Sequence, residues 1–141
     1  MKNSLFIVAG IMIFISMAIA ENNAASDTIK VFTDLEESFE TGKPVVCLFY
    51  TQKSCKCTND RCKKAMDFMV EIKDKLPENI TYCEIETASN AEIVKKYRLV
   101  SPPVLLFFDS EGKQITRLDA WKIDWKNIET ELEKLQKEDD K

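Results

Sequence analysis

Apolar residues in this chain are concentrated in short continuous runs that are separated by polar segments. The runs 44–51 (PVVCLFYT) and 104–108 (VLLFF) are rich in β-branched and aromatic residues, which is typical of strands buried on both faces. Residues 28–32 and 80–86 predict two further strands, and residues 114–118 predict a strand that returns after the turn DSEGK. The pattern therefore predicts five strands, of which the last two form a hairpin.

The segments between these strands have the spacing of helices. Residues 34–41 and 91–97 predict short helices, and a longer helix follows the cysteines and ends at Pro77. One apolar stripe runs along the longer helix: Ala65, Met69, Ile72 and Leu76. Asp124 is placed to cap a last helix with three core-facing residues, Ile128, Leu132 and Leu135. Strands that alternate with helices and end in a hairpin predict an α/β fold, whose central sheet has a parallel core and helices on both faces.

The first 20 residues have the pattern of a secretory signal peptide. Lys2 precedes the uncharged apolar run 5–15, and residues 18–20 supply an A-x-A cleavage pattern before Glu21. The alternative is an uncleaved membrane anchor, but the run is shorter than the roughly 20 residues that a spanning helix needs. We therefore expect a periplasmic or secreted protein in an oxidising compartment, where paired cysteines persist.

Cleavage after residue 20 of the 141 leaves 121 residues, which suffice for one domain with one core. We expect a leader and first strand over 21–32, the domain over 33–136 and a charged flexible tail over 137–141. Without Lys2 the chain has 19 Lys+Arg and 24 Asp+Glu, a net charge of −5. This balance argues against nucleic acid as the main partner, because no overall basic field attracts phosphates.

The chain contains five cysteines and no histidine. An odd number leaves at least one thiol unpaired or reactive. The lack of histidine excludes His-based nucleophile triads, His general bases and His metal ligands. Cys47 and Cys83 lie among apolar residues of predicted strands, which indicates buried and inert thiols. The candidates for chemistry are therefore Cys55, Cys57 and Cys62.

These three cysteines lie in the most basic segment of the chain. Residues 53–64 contain five cations and one acid, a local net charge of +4. Because the thiolate is the reactive form, these cations and the N-terminal end of a helix that begins near residues 54–58 should lower the pKa of a thiol. We predict Cys55 as the attacking thiol, Cys57 as the resolving thiol and Cys62 as a third, regulatory or alternative partner.

Two pairings are open. A Cys55–Cys57 disulfide closes a ring of roughly 11 atoms, against roughly 14 for C-x-x-C, so it should be strained and readily donated, which favours an oxidant or isomerase. A Cys57–Cys62 disulfide needs a broken first helical turn, since five residues place the two about 140° apart on a regular helix. The low helix propensity of residues 58–60 (TND) is able to supply that break. The alternative for Cys62 is a small hydrophobe on the buried edge of the helix.

From about residue 33 to residue 135 the chain resembles the thioredoxin superfamily, and more closely its exported thioredoxin-like members. Three segments carry the resemblance: 42–50 (GKPVVCLFY), which leads into the cysteines, 97–113 (YRLVSPPVLLFFDSEGK) and the final amphipathic helix. The resemblance implies a thioredoxin-like fold with a central mixed sheet. It also places Pro103 at the family's cis-proline, beside the active site.

The chain departs from the family pattern at three places. The family motif is C-x-x-C, and counting without gaps puts Ser54 at the attacking position and Cys57 at the resolving one, unless the loop shifts by a residue to present Cys55. Pro102 precedes the expected cis-proline and has no N–H to pair with a bound peptide. Leu48 stands where thioredoxins keep a buried acid, so that proton acceptor is missing.

The resemblance implies a thiol–disulfide oxidoreductase that exchanges disulfides with protein clients and with a redox partner protein. We expect a monomer without a cofactor or a bound metal, and without membrane attachment once the signal is cleaved. Two alternatives remain. One is a redox-inactive binding module that kept the fold, for which Ser54 is the best argument. The other is a Cu(I)-binding or transfer protein that uses the soft thiolates of Cys55, Cys57 and Cys62.

Overall fold

The computed structural model describes residues 29–139. Within this range the chain forms five strands: β1 (Val31–Phe32), β2 (Val45–Tyr50), β3 (Thr81–Glu86), β4 (Val104–Phe108) and β5 (Gln114–Asp119). The same range contains four α-helices: α1 (Leu35–Phe39), α2 (Lys56–Ile72), α3 (Ala91–Lys96) and α4 (Trp125–Asp139). Short 3-10 turns follow α2, β3 and β5: Lys73–Lys75, Thr87–Ser89 and Ala120–Lys122.

The strands form one mixed sheet in the order β1-β3-β2-β4-β5. The strands β1, β3 and β2 run parallel, because the chain crosses over through a helix between each consecutive pair. The strand β4 pairs antiparallel with both β2 and β5. The sheet confirms the predicted α/β fold, with a parallel core and a closing hairpin.

Helices cover both faces of the sheet, as the alternation of elements predicts. One face carries α2 and α4, and the residues that were predicted to face the core there are all buried: Ala65, Met69, Ile72, Leu76, Ile128, Leu132 and Leu135. The helix α2 itself ends at Ile72, and Leu76 follows the 3-10 turn. The opposite face carries α1 and α3 over a second cluster, which includes Leu35, Phe49 and Phe108. Two separate apolar layers therefore hold the sheet in place.

One edge of the sheet collects the segments that carry the predicted chemistry. Tyr50 pairs with Glu86, so β2 and β3 end side by side. Val104 pairs with both Phe49 and Asp119, so β4 begins where β2 and β5 end. We call this end of the sheet the site edge. The cysteine segment, the proline pair and the 3-10 turn after β5 all leave from it.

The ends of the described chain refine the sequence predictions. Asp124 caps α4, because its side-chain oxygen accepts from the backbone N–H of Asn127 over 2.9 Å. The helix continues to Asp139, three residues beyond the predicted domain end at 136. The predicted signal peptide lies outside the described residues. Within residues 29–139, no helix combines the length and the apolar composition needed to cross a membrane.

Candidate active site

Cys55 is the N-cap residue of α2. Its backbone is extended (φ −62°, ψ 156°), and its carbonyl oxygen accepts from the backbone N–H groups of Thr58 and Asn59, each over 3.0 Å. The side chain of Asn59 also holds Ser54 in place, since it accepts from the N–H and donates to the carbonyl oxygen, each over 3.1 Å. The structure thus places Cys55 at the helix terminus, where the ungapped count puts Ser54.

The sulfur atoms of Cys55 and Cys57 meet at this helix terminus. They lie 2.9 Å apart without a disulfide, and both side chains are exposed. The hydroxyl oxygen of Thr58 lies 3.3 Å from the Cys55 sulfur, and the Arg61 guanidinium donates to that oxygen over 3.2 Å. Since the oxygen is the acceptor toward Arg61, its own proton is available to the Cys55 sulfur.

These contacts lower the pKa of Cys55 from 9.0 to about 6. The main causes, largest first, are the hydrogen bonds with the Cys57 side chain, the Thr58 hydroxyl and the Thr58 backbone N–H. Desolvation acts against them, and a smaller contribution from the Ser54 side chain lowers the pKa further. At pH 7 a thiol with such a pKa is about nine-tenths thiolate, which is the nucleophilic form. The lowered pKa was predicted, and so was a contribution from the N-terminal end of the helix, but the predicted contribution of the cations is not found. Hydrogen bonds at the helix terminus lower it, and none of the five nearby cations is among the causes.

Cys62 does not join the other two cysteines of the segment. Its side chain is buried, and its sulfur accepts from the backbone N–H of Thr51 over 3.4 Å. Burial raises the pKa of Cys62, and this outweighs the hydrogen bond from Thr51 and the charge of Arg61. The structure therefore favours the buried, small-hydrophobe interpretation of this residue.

The helix geometry also argues against a bridge between Cys57 and Cys62. The helix is regular from Lys56 to Ile72, so the broken first turn that residues 58–60 were predicted to supply is absent. A three-thiolate Cu(I) site is disfavoured for the same reason. Among residues 29–139, no group of three or more Cys, Asp or Glu side chains is arranged to hold a metal ion.

Pro103 lies where the resemblance predicts it. The peptide bond between Pro102 and Pro103 is cis, and the Pro103 side chain is buried. The next residue, Val104, pairs with Phe49 at the site edge, so the proline turn and the cysteine segment leave the sheet at the same end. Leu48 is fully buried, so an apolar side chain occupies that position in the sheet.

Cys47 and Cys83 form a second, buried pair. They are register partners on the neighbouring strands β2 and β3, and both are fully buried without a disulfide. Burial is the largest cause that raises the pKa of Cys47, and the hydrogen bond with Cys83 raises it further. The Cys83 sulfur also lies 3.7 Å from the carbonyl oxygen of Asp34. These observations confirm the prediction that both are buried thiols.

Sequence reasoning missed the three residues that surround Cys55. Thr58 and Asn59 were considered only as weak helix formers, and Arg61 only as one cation among five. The spacing of Thr58 indicated its contact, because a hydroxyl three residues after an N-cap lies within reach of the side chain of that cap. Spacing alone did not predict that the side chain of Asn59 would form hydrogen bonds with Ser54, the loop residue before the N-cap.

No protein-family model matches the chain, and no curated protein matches it. A solved thioredoxin from Fasciola hepatica is 20% identical, with a TM-score of 0.52, and the alignment covers 75% of this chain and 98% of that one. A reduced thioredoxin pre-protein from Schistosoma mansoni is 19% identical, with a TM-score of 0.58, over 76% of this chain and 94% of that one. The chain therefore has a thioredoxin-like fold.

Proposed function

We propose that this protein is a thiol–disulfide oxidoreductase of an extracytoplasmic compartment, which exchanges disulfides with protein thiols through Cys55 and Cys57. The proposal is carried by the exposed Cys55 sulfur, whose pKa is lowered to about 6 and which lies 2.9 Å from the Cys57 sulfur. Exchange requires a sulfur that is stable as a thiolate and a second sulfur within reach of it. In the described structure, Cys55 and Cys57 meet both requirements.

The oxidising direction proceeds in two displacements. A client thiolate attacks the Cys55 sulfur of the Cys55–Cys57 disulfide, so that a client–Cys55 bond forms, the bond between the two cysteines breaks and Cys57 leaves as a thiolate. A second client thiolate then attacks the client sulfur of this mixed disulfide, and Cys55 leaves as a thiolate. The client loses two electrons and releases two thiol protons, and the protein takes up the two electrons. A redox partner protein then reoxidises the pair.

The hydrogen bonds at Cys55 support this direction. They stabilise its thiolate, and a stabilised thiolate is both a better leaving group and a more stable reduced state. A small C-x-C ring also favours donation of the disulfide. Equilibration with glutathione buffers tests the direction. A reduction potential above about −200 mV supports an oxidant or isomerase, and one below about −270 mV identifies a reductant.

Trapping tests the function itself. In Cys57→Ser the serine hydroxyl still donates to Cys55 but does not resolve a mixed disulfide. When the Cys55 thiolate of this variant attacks a client disulfide, one client sulfur leaves as a thiolate and the other stays bonded to Cys55, so disulfide-containing clients should accumulate covalently on Cys55. The matched control is Cys62→Ser, which leaves the Cys55–Cys57 pair intact and should trap none. If Cys57→Ser captures no disulfide-containing protein and Cys55 is alkylated at pH 7 no faster than a free cysteine, the proposal is wrong.

The position of Cys55 also bears on the non-catalytic alternative. That alternative depends on Ser54 at the attacking position, and in the structure Cys55 occupies the helix terminus. The extracytoplasmic location is supported by the signal-like pattern of residues 1–20. Mass spectrometry of the exported protein tests it, since cleavage by a signal peptidase should produce an N-terminus at Glu21.

A further inference from the structure

A groove lies between α2 and the turn that follows β5. Its volume is about 330 Å³, and its floor consists of Ala65, Phe68 and Ile123. Phe68 and Ile123 are partly buried and pack against the main core, so the floor rests on a rigid layer. Trp121 forms one wall and is 74% exposed, which is unusual for so large an apolar side chain. We call this site the α2 groove.

The basic rim of the α2 groove comes from α2 itself. Arg61 and Lys64 line the groove together with Ala65 and Phe68, and the spacing of these four residues places them on one face of the helix. Neither Arg61 nor Lys64 forms an ion pair with another of the described residues. A groove with an apolar floor, an aromatic wall and two unpaired cations is complementary to an apolar side chain next to a carboxylate.

The opposite face of α2 lacks this free charge. Lys63 lines a different cavity there and forms an ion pair with Asp67 over 2.6 Å. Asp60 and Asp67 also line that second cavity. The free positive charge of this part of the helix is therefore directed toward the α2 groove, although the whole chain carries a net charge of −4.

The α2 groove opens beside the reactive sulfur. Arg61 donates to the Thr58 hydroxyl, which lies 3.3 Å from the Cys55 sulfur. These two contacts place the Arg61 guanidinium within about 6.5 Å of the Cys55 sulfur, to which the client cysteine binds. Since an extended peptide advances about 3.3 Å per residue, a carboxylate at Arg61 would lie about two residues from the client cysteine.

We propose that the α2 groove selects clients in which an acidic residue about two positions from the reactive cysteine is followed by an aromatic residue. The carboxylate binds between Arg61 and Lys64, and the aromatic ring lies on Phe68 against Trp121. This inference rests on the proposed function and names the class of client that the cysteine pair acts on. Trp121 supplies the rigid aromatic contact that often dominates such interfaces.

A binding measurement on the full chain tests the groove without any chemistry. The chain has two tryptophans, so Trp125→Phe leaves Trp121 as the sole reporter. The probe is a cysteine-free peptide with one phenylalanine between two glutamates, and its control carries lysines in place of the glutamates. We expect the acidic peptide to change Trp121 emission and to bind about 10-fold more tightly at low ionic strength, with the preference reduced by salt.

Matched variants locate the effect. Lys64→Glu should reduce the preference for the acidic peptide by about 5-fold or more, whereas Lys63→Glu makes the same charge change on the other face and should change it by less than about 2-fold. Trp121→Ala should weaken binding of the acidic peptide by about 5-fold or more. Its control is Val70→Ala, at an exposed apolar residue of α2 that does not line the groove, with no expected change.

A small disulfide separates this inference from the proposed function. Exchange with bis(2-hydroxyethyl) disulfide needs the cysteine pair but offers no side chain to the groove, so Lys64→Glu and Trp121→Ala should keep its rate. If this exchange is normal but the two peptides bind equally, the groove proposal is overturned and the function stands. If sedimentation shows a dimer that shields Trp121 from acrylamide quenching, a second copy occupies the groove and the proposal is also overturned. Absence of exchange in the unmodified protein overturns the proposed function instead.

Discussion

Two pairs of cysteines in this molecule have the same side chains in opposite environments. Cys55 and Cys57 are exposed at the N-terminus of α2, whereas Cys47 and Cys83 face each other across β2 and β3 and are fully buried. Hydrogen bonds lower the pKa of Cys55 to about 6, and burial raises the pKa of Cys47 well above 9.0. Two neighbouring sulfurs are therefore not sufficient for exchange. Donors to the thiolate and access for a client distinguish the pair that we propose as reactive.

The largest expected difference between the two pairs is in their rates of alkylation. At pH 7 and 25 °C, iodoacetamide should modify Cys55 at least about 1,000-fold faster than Cys47 or Cys83, because the buried thiols react only when the structure opens. Isotope-coded alkylation followed by mass spectrometry measures each site. In guanidinium chloride the three rates should converge. Comparable rates in the native protein would contradict the contrast between the pairs.

The same substitution in each pair should also have different effects on stability. Cys47→Ser buries a hydroxyl among apolar side chains and should lower the free energy of unfolding by about 1–3 kcal/mol. Cys57→Ser changes an exposed residue and should alter the free energy of unfolding by less than about 0.5 kcal/mol. Urea unfolding of the two variants and the parent protein compares them directly. Equal losses would show that burial does not distinguish the pairs.

The sequence pattern predicts the fold better than it predicts the site. Continuous apolar runs identify buried strands such as β2 and β4, because a strand that is buried on both faces has apolar residues at nearly every position. The buried state of Cys47 and Cys83 follows from the same runs. The cis bond at Pro103 was expected only from the family resemblance, since spacing alone does not distinguish the two isomers.

The site depends on contacts that a linear pattern does not encode. The regular first turn of α2 places Cys62 on the buried side and Cys57 beside Cys55, although residues 58–60 have low helix propensity. The hydrogen bonds of Asn59 to both backbone groups of Ser54 help to fix this local structure. Tertiary contacts of this kind routinely outweigh intrinsic propensity, so the predicted third partner, Cys62, was the weakest part of the assignment.

A smaller effect tests the cause of the lowered pKa. The alkylation rate of Cys55 should rise with pH as the thiolate forms and reach half of its plateau near pH 6. Thr58→Val removes a donor to the thiolate, so the curve should move to higher pH and the rate at pH 6 should fall by about 2- to 5-fold. Thr58→Ser retains the hydroxyl, so the pH dependence of the alkylation rate should not change. A valine variant with an unchanged midpoint would exclude the hydroxyl as a cause.

The smallest expected effect tests whether hydrogen bonds or nearby charges lower the pKa of Cys55. The five cations of residues 53–64 led to the expectation that nearby charge lowers the pKa of Cys55. Lys53 and Lys56 are the two that lie nearest to Cys55 in the sequence, yet neither is among the causes of the lowered pKa. Exposed charges are screened by water and salt, so Lys53→Gln or Lys56→Gln should change the rate at pH 6 by less than about 2-fold. Raising the ionic strength to about 1 M should likewise leave the midpoint in place, since the screening length there is about 3 Å. If Lys56→Gln moves the curve as far as Thr58→Val does, the basic segment rather than the helix terminus activates Cys55. The difference between the two cysteine pairs would then be one of charge and not of hydrogen bonding.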